Sequence, residues 1–138
     1  MTLIERVVRL RRSFHGLLSR RMAEVSELSF QQLSVLRVVS RGIAQTQAEV
    51  AERLVIDAAA TCRLVQRLES QGLLVRHKGE DNRSMRLEVT AAAKPHIELL
   101  GSELAALDRR LREHLGDAEI AMLESLLDKA QACVDDAG

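Results

Sequence analysis

Apolar residues recur near the start of the chain at Leu3, Val7, Leu10, Phe14 and Leu17, spaced four, three, four, three. This spacing predicts a long helix that packs lengthwise through one seam, which Val8 and Leu18 widen. A second helix starts at Ser29, where a hydroxyl cap, Gln32 three residues on and a Leu28–Leu33 staple agree. It runs through Leu36 and Val39 to about Arg41, and Gly42 stops it. Thr46 and Glu49 form another capping box and open a short helix whose predicted buried positions are Ala48, Ala51 and Leu54. Asp57 caps a fourth helix, with Ala60, Leu64, Val65 and Leu68 on one face and Ala58, Ala59, Cys62, Arg63 and Gln66 on the other.

The period then changes from helical to two. Gly72 ends the fourth helix, Leu73, Leu74 and Val75 begin an extended segment, and Gly79-Glu80-Asp81-Asn82 supplies turn chemistry. The return strand alternates Met85, Leu87 and Val89 inward with Arg86 and Glu88 outward. A lone hairpin is unstable in water and must pack on the helices before it. Two short helices joined by a tight turn, the second running into a hairpin, read as a helix-turn-helix with a wing.

Beyond Thr90 the helical period returns at Ile97, Leu100, Leu104, Leu107 and Leu111, until Gly116 interrupts it and Asp117 caps a last helix carrying Ile120, Leu123, Leu127, Ala130 and Val134. Pro95 is expected to bend or delay the first of these two helices. The fold class is mainly α with a small β-hairpin wing. Residues 1–138 are read as one domain, with a winged lobe over about 28–92 and dimerisation helices over about 1–27 and 93–138. So many leucine seams exceed what a small domain can bury against itself, which predicts a homodimer whose terminal helices interdigitate about a two-fold axis.

Composition narrows the partners. Hydrophobic residues make up 46% and charged residues 29%, enough for a single soluble domain with a core. Aromatic residues are only 1%, so stacking platforms for single-stranded nucleic acid have almost no material. No apolar run spans a bilayer, and Glu5, Arg6 and Arg9 interrupt the start of the chain, so no membrane partner and a cytoplasmic location are expected. Cys62 and Cys133 form neither a metal motif nor a disulfide framework, and His15, His77, His96 and His114 lack close ligand spacing. No metal and no cofactor are expected. The net charge is zero but unevenly placed: residues 1–41 carry eight arginines against Glu5, Glu24 and Glu27, whereas residues 91–138 are acidic.

If the helix from Asp57 is a recognition helix, its first turns must lie close to base edges, which favours the small Ala58, Ala59 and Thr61 there. Arg63 and Gln66 are the candidate base readers or phosphate clamps, and Arg67 a flanking phosphate contact. At the wing, Asp81 can orient Arg83 into a minor groove, with Lys78 and Arg86 near the backbone; the competing reading is an exposed turn with an ordinary ion pair. Thr46, Gln47, Asp57 and Cys62 complete the candidate DNA-contacting set.

The segments Thr46-Gln47-Ala48-Glu49-Val50-Ala51, Arg63-Leu64-Val65 with Arg67-Leu68-Glu69, Gly72-Leu73-Leu74, and Asp81-x-Arg83-Ser84 followed by Leu87-x-Val89-Thr90 closely resemble the MarR family of bacterial transcription regulators. The resemblance covers nearly the whole chain, and the wing pattern after Gly-Leu-Leu is its specific part. It implies a triangular homodimer on a pseudo-palindromic double-stranded operator, commonly a repressor released by a small phenolic or aromatic effector or by thiol oxidation. Ala93 departs from the glycine usual three residues after the wing threonine. On this reading Arg11 and His15 line the effector cleft, solvent exposure being the alternative for His15. Cys62, beside Arg63, is the candidate redox thiol; its alternative is a small residue where many members place serine. Cys133 is assigned to core packing.

Two functions of different class follow. One is a dimeric, sequence-specific DNA-binding regulator; the other is a winged-helix protein-interaction module without sequence-specific DNA binding, which zero net charge permits. An enzyme is not expected, since no nucleophile with a nearby base, no phosphate loop and no paired carboxylates are present in the sequence.

Overall fold

The computed structural model describes residues 1–79 and 85–138. Helix α1 spans Leu3–Val25 and begins with a capping box that the apolar spacing did not indicate: Thr2 Oγ1 accepts from Glu5 N–H, and Glu5 accepts from Thr2 N–H. Helix α2, Phe30–Ser40, starts at the expected Ser29–Gln32 box and ends at Arg41, where Gly42 takes a left-handed φ of 69°. Helix α3, Gln47–Leu54, is capped by Thr46 and Glu49 as expected. Its buried residue is Val50, whereas the expected Ala48 is exposed. The helix is rotated toward the larger apolar side chain, which gains more from leaving water than alanine does.

Asp57 caps α4, Ala58–Ser70, by accepting Ala60 N–H at 2.7 Å. Gly72, at φ 74°, ends it, with Leu73 N–H donating to Leu68 C=O. Strands β1, Leu74–Lys78, and β2, Met85–Val89, form an antiparallel pair in which Leu74 faces Val89 and Arg76 faces Leu87. Leu87 is buried and Val89 half-buried, but Met85, expected inward, is 43% exposed at the end of the strand. A 3₁₀ turn, Ala91–Ala93, delays α5 to Lys94–His114. Pro95 therefore falls in the first turn of α5, where its missing N–H costs no hydrogen bond, and Ala93 is fully buried. Helix α6, Asp117–Ala137, has Gly116 rather than Asp117 at its cap; Asp117 is the first helical residue, and Glu119 accepts Gly116 N–H.

The core centres on α2, whose Leu33, Val35 and Leu36 are fully buried and which packs on α1, α3, α4 and β2. Met22, Val50, Val65, Leu68 and Leu74 complete it from the surrounding elements. The chain forms two compact units, residues 1–101 and 102–138. The α1 positions Leu3, Val7 and Leu10 are more than half exposed, and in the second unit Leu127 and Val134 of α6 are too. Cys133, assigned to core packing from its place near the α6 seam, is exposed. No described helix is long and apolar enough to cross a membrane.

Candidate nucleic-acid interface

Helix α4 divides cleanly along its length. Thr61, Val65 and Leu68 are fully buried, while Ala59, Arg63, Gln66 and Ser70, spaced four, three and four, form an exposed stripe flanked by Ala58 and Arg67. Small side chains at the N-terminal end of this stripe and long polar ones further on leave room for close approach followed by reach. That combination suits reading base edges in a major groove.

Thr61, expected on this exposed face, lies instead on the core side of the helix. Its side chain is wholly buried and its hydroxyl donates to Asp57 C=O at 2.8 Å, so the hydroxyl is satisfied inside its own helix. Of the expected buried face, Val65 and Leu68 are fully buried, whereas Ala60 and Leu64 are half-buried and Thr61 takes the remaining core position. Replacing Thr61 by valine is expected to lower stability by about 1 kcal/mol, through loss of the hydrogen bond, and to leave the preferred DNA sequence unchanged. Urea unfolding and a base-substitution series on a bound duplex measure the two effects. Cys62 lies at the edge of the face, half-buried.

Helix α3 is set beside α4 with its start turned to the wing. Thr46 is half-buried and its hydroxyl is used as the cap. The side-chain oxygen of Gln47 is buried without a hydrogen-bond partner among the described residues. Asp57 is exposed, but one carboxylate oxygen is occupied by the α4 cap.

Among the described residues, three contacts fix the hairpin to the ends of these helices and a fourth closes its base. Arg76 Nε donates to Glu69 Oε1 at 2.8 Å, in an ion pair about three-quarters shielded from water, tying β1 to the end of α4. Leu87 N–H donates to Gln45 C=O at 2.7 Å, and the Arg86 guanidinium donates to the Gln45 side-chain oxygen, tying β2 to the start of α3. Thr90 Oγ1 donates to Gly72 C=O at 2.6 Å. Gln45 carries no signal of this role in the sequence, since the wing residues it holds, Arg86 and Leu87, lie more than forty residues away and leave no local pattern. Lys78 is exposed at the end of β1. His77 Nε2 lies 3.2 Å from Glu88 Oε2, diagonally across the two strands, both side chains well exposed. Asp81 and Arg83 lie outside the described residues.

A cavity of about 550 Å³ opens between α1, α2 and the end of α3. Arg11 and His15 line it together with Phe14, Phe30, Ser34, Arg53, Val55 and Ile56. The His15 ring meets Phe30 edge-on at 5.2 Å between centroids, and Ser19 Oγ lies 3.4 Å from His15 Nδ1. Aromatic edges, apolar carbons and guanidinium groups in one concavity suit a planar organic anion. Elsewhere, burial and the neighbouring Arg41 charge lower the pKa of Arg37, and the hydrogen bond and charge of Asp108 raise that of Arg112. Among the described residues no cluster of His, Cys, Asp or Glu could hold a metal ion.

A model of the MarR family matches residues 26–84, which take in α2, α3, α4 and β1. A crystal structure of the reduced form of MarR from E. coli is 25% identical, with a TM-score of 0.75 over 94% of this chain and 96% of that one. The transcriptional regulator SlyA is 20% identical, with a TM-score of 0.81 over 99% of this chain and 96% of its own. MepR of S. aureus, crystallised as a DNA complex, is 15% identical, with a TM-score of 0.76 over 96% of each chain. For the last two the likeness is one of fold.

Proposed function

We propose, for a chain whose residues 26–84 belong to the MarR family and whose fold is that of MarR structures throughout, that it is a dimeric transcriptional regulator binding double-stranded DNA sequence-specifically. The observation that carries this reading is the exposed stripe of α4, with Arg63 and Gln66 following Ala59, presented beside a wing that Glu69 and Gln45 hold in place. Such a helix fills a major groove, and the wing lies over the flanking backbone. The crystallised DNA complex of MepR, which shares the fold, supports it.

The partly exposed apolar stripes of α1 and α6 are the surfaces a second copy of this chain would cover. Two-fold symmetry then presents two recognition helices to half-sites of a pseudo-palindrome. The cavity beside Phe30 and Arg11 is the place for a small aromatic effector, whose binding favours one separation of the two helices and so releases repression. A cytoplasmic location suits this role.

Titrating labelled duplex from a selected operator at rising salt tests the reading. Affinity is expected to fall by orders of magnitude between low and moderate salt, and to exceed that for a scrambled duplex of equal length. Equal affinity for both duplexes favours the protein-interaction reading instead.

A further inference from the structure

Among the described residues Val55 is the one non-glycine residue with a positive φ, at φ 54° and ψ 53°. A β-branched side chain is ill suited to that conformation, because its Cβ substituents crowd the neighbouring carbonyl. The helix end imposes it: Ile56 N–H donates to Ala51 C=O at 3.0 Å and Val55 N–H to Glu52 C=O at 3.3 Å, a closure that usually places glycine here. Packing does not explain the valine, which is 79% exposed. It stands instead in the wall of the cavity between α1, α2 and α3.

The chain runs from that wall straight into α4. Ile56 is also in the wall, and the next residue, Asp57, holds the first turn of α4 through Ala60 N–H at 2.7 Å and Thr61 N–H at 3.0 Å. A change in the Val55 backbone therefore re-aims the cap of the helix that carries Arg63 and Gln66.

We propose that Val55 is the residue through which an aromatic anion in this cavity acts on helix α4. The inference rests on the cavity being the effector site. An occupant reaches the exposed isopropyl group in one geometry of the turn and not in another. Its binding then shifts the balance between the strained left-handed turn and a relaxed one that breaks the Ile56–Ala51 closure. Strain at one residue sets the size of the effect at about tenfold in DNA affinity.

The test uses the full ¹⁵N-labelled chain, benzoate as the probe and a selected duplex. In the unaltered protein, saturating benzoate is expected to shift the amide signals of Gln31 and Ser34 in the cavity and those of Ala60 and Thr61 in α4, and to weaken duplex binding about tenfold. Val55→Gly, which keeps the turn and removes its strain and side chain, should retain the Gln31 and Ser34 response. It should lose the α4 response and change duplex affinity less than about twofold with benzoate. Val55→Ile should behave as the unaltered protein. Full release of DNA by benzoate in Val55→Gly overturns the role of Val55 while leaving the effector cavity intact. No response of Gln31 and Ser34 in the unaltered protein overturns the cavity assignment and this inference with it.

Discussion

Alanine in place of Arg63 is expected to weaken binding to the preferred duplex by about ten- to a hundredfold, or roughly 1–3 kcal/mol, and to relax the base preference at one position of each half-site. Arg63 is exposed in the middle of the α4 stripe and forms no ion pair among the described residues, so the folded state loses little when it is removed. The melting temperature should therefore move by no more than a degree or two, as for other exposed substitutions on a helix. Fluorescence anisotropy on the preferred duplex and on single-base variants separates this from a phosphate contact. If affinity fell equally on every sequence and the salt slope dropped by about one, Arg63 would be a backbone contact and base reading would rest on Gln66.

Leu68→Ala acts on the opposite side of the same helix and has the opposite signature. Leu68 is fully buried, and its carbonyl also accepts Leu73 N–H at the turn into the wing. Truncation leaves a cavity against the α2 core and is expected to cost about 2–5 kcal/mol, on the order of 10 °C in melting temperature. Duplex affinity per folded molecule should stay within a few-fold of the original. Urea unfolding with far-UV circular dichroism measures the first quantity, and anisotropy well below the transition the second. A loss under 1 kcal/mol would mean that the α2–α4 contact is not the centre of this core.

These two residues also mark what the sequence could and could not disclose. Helix starts at Ser29, Thr46 and Asp57 were legible because a cap is a local hydrogen bond between residues three apart, and the same chemistry appears in the structure. The hairpin was legible from its period of two and from Gly72. On α4 the buried Val65 and Leu68 are legible from the period, but Thr61 is not, because it carries a polar group that hydropathy sends to solvent while the helix satisfies it at the Asp57 carbonyl. The apolar seam marks α1 from Leu3, where the helix begins, but not its cap, although Thr2 and Glu5 make the same box as the others.

Other features have no local signature. Gln45 clamps the wing through Arg86 and Leu87, a contact formed only when distant segments fold together. Val55 reads as one more apolar residue near a helix end, yet it is exposed and left-handed, and only its backbone angles reveal that. The candidate DNA face was thus legible in its residue types, but the parts that hold and bias it were not.

Selection of bound duplexes from a random pool by the unaltered protein tests the central claim most directly. The predicted result is enrichment of an inverted repeat whose half-sites lie about one helical turn, or roughly 10 base pairs, apart, matching two copies of α4 related by a two-fold axis. A pool that stays random through repeated rounds, with no inverted repeat emerging, would contradict it.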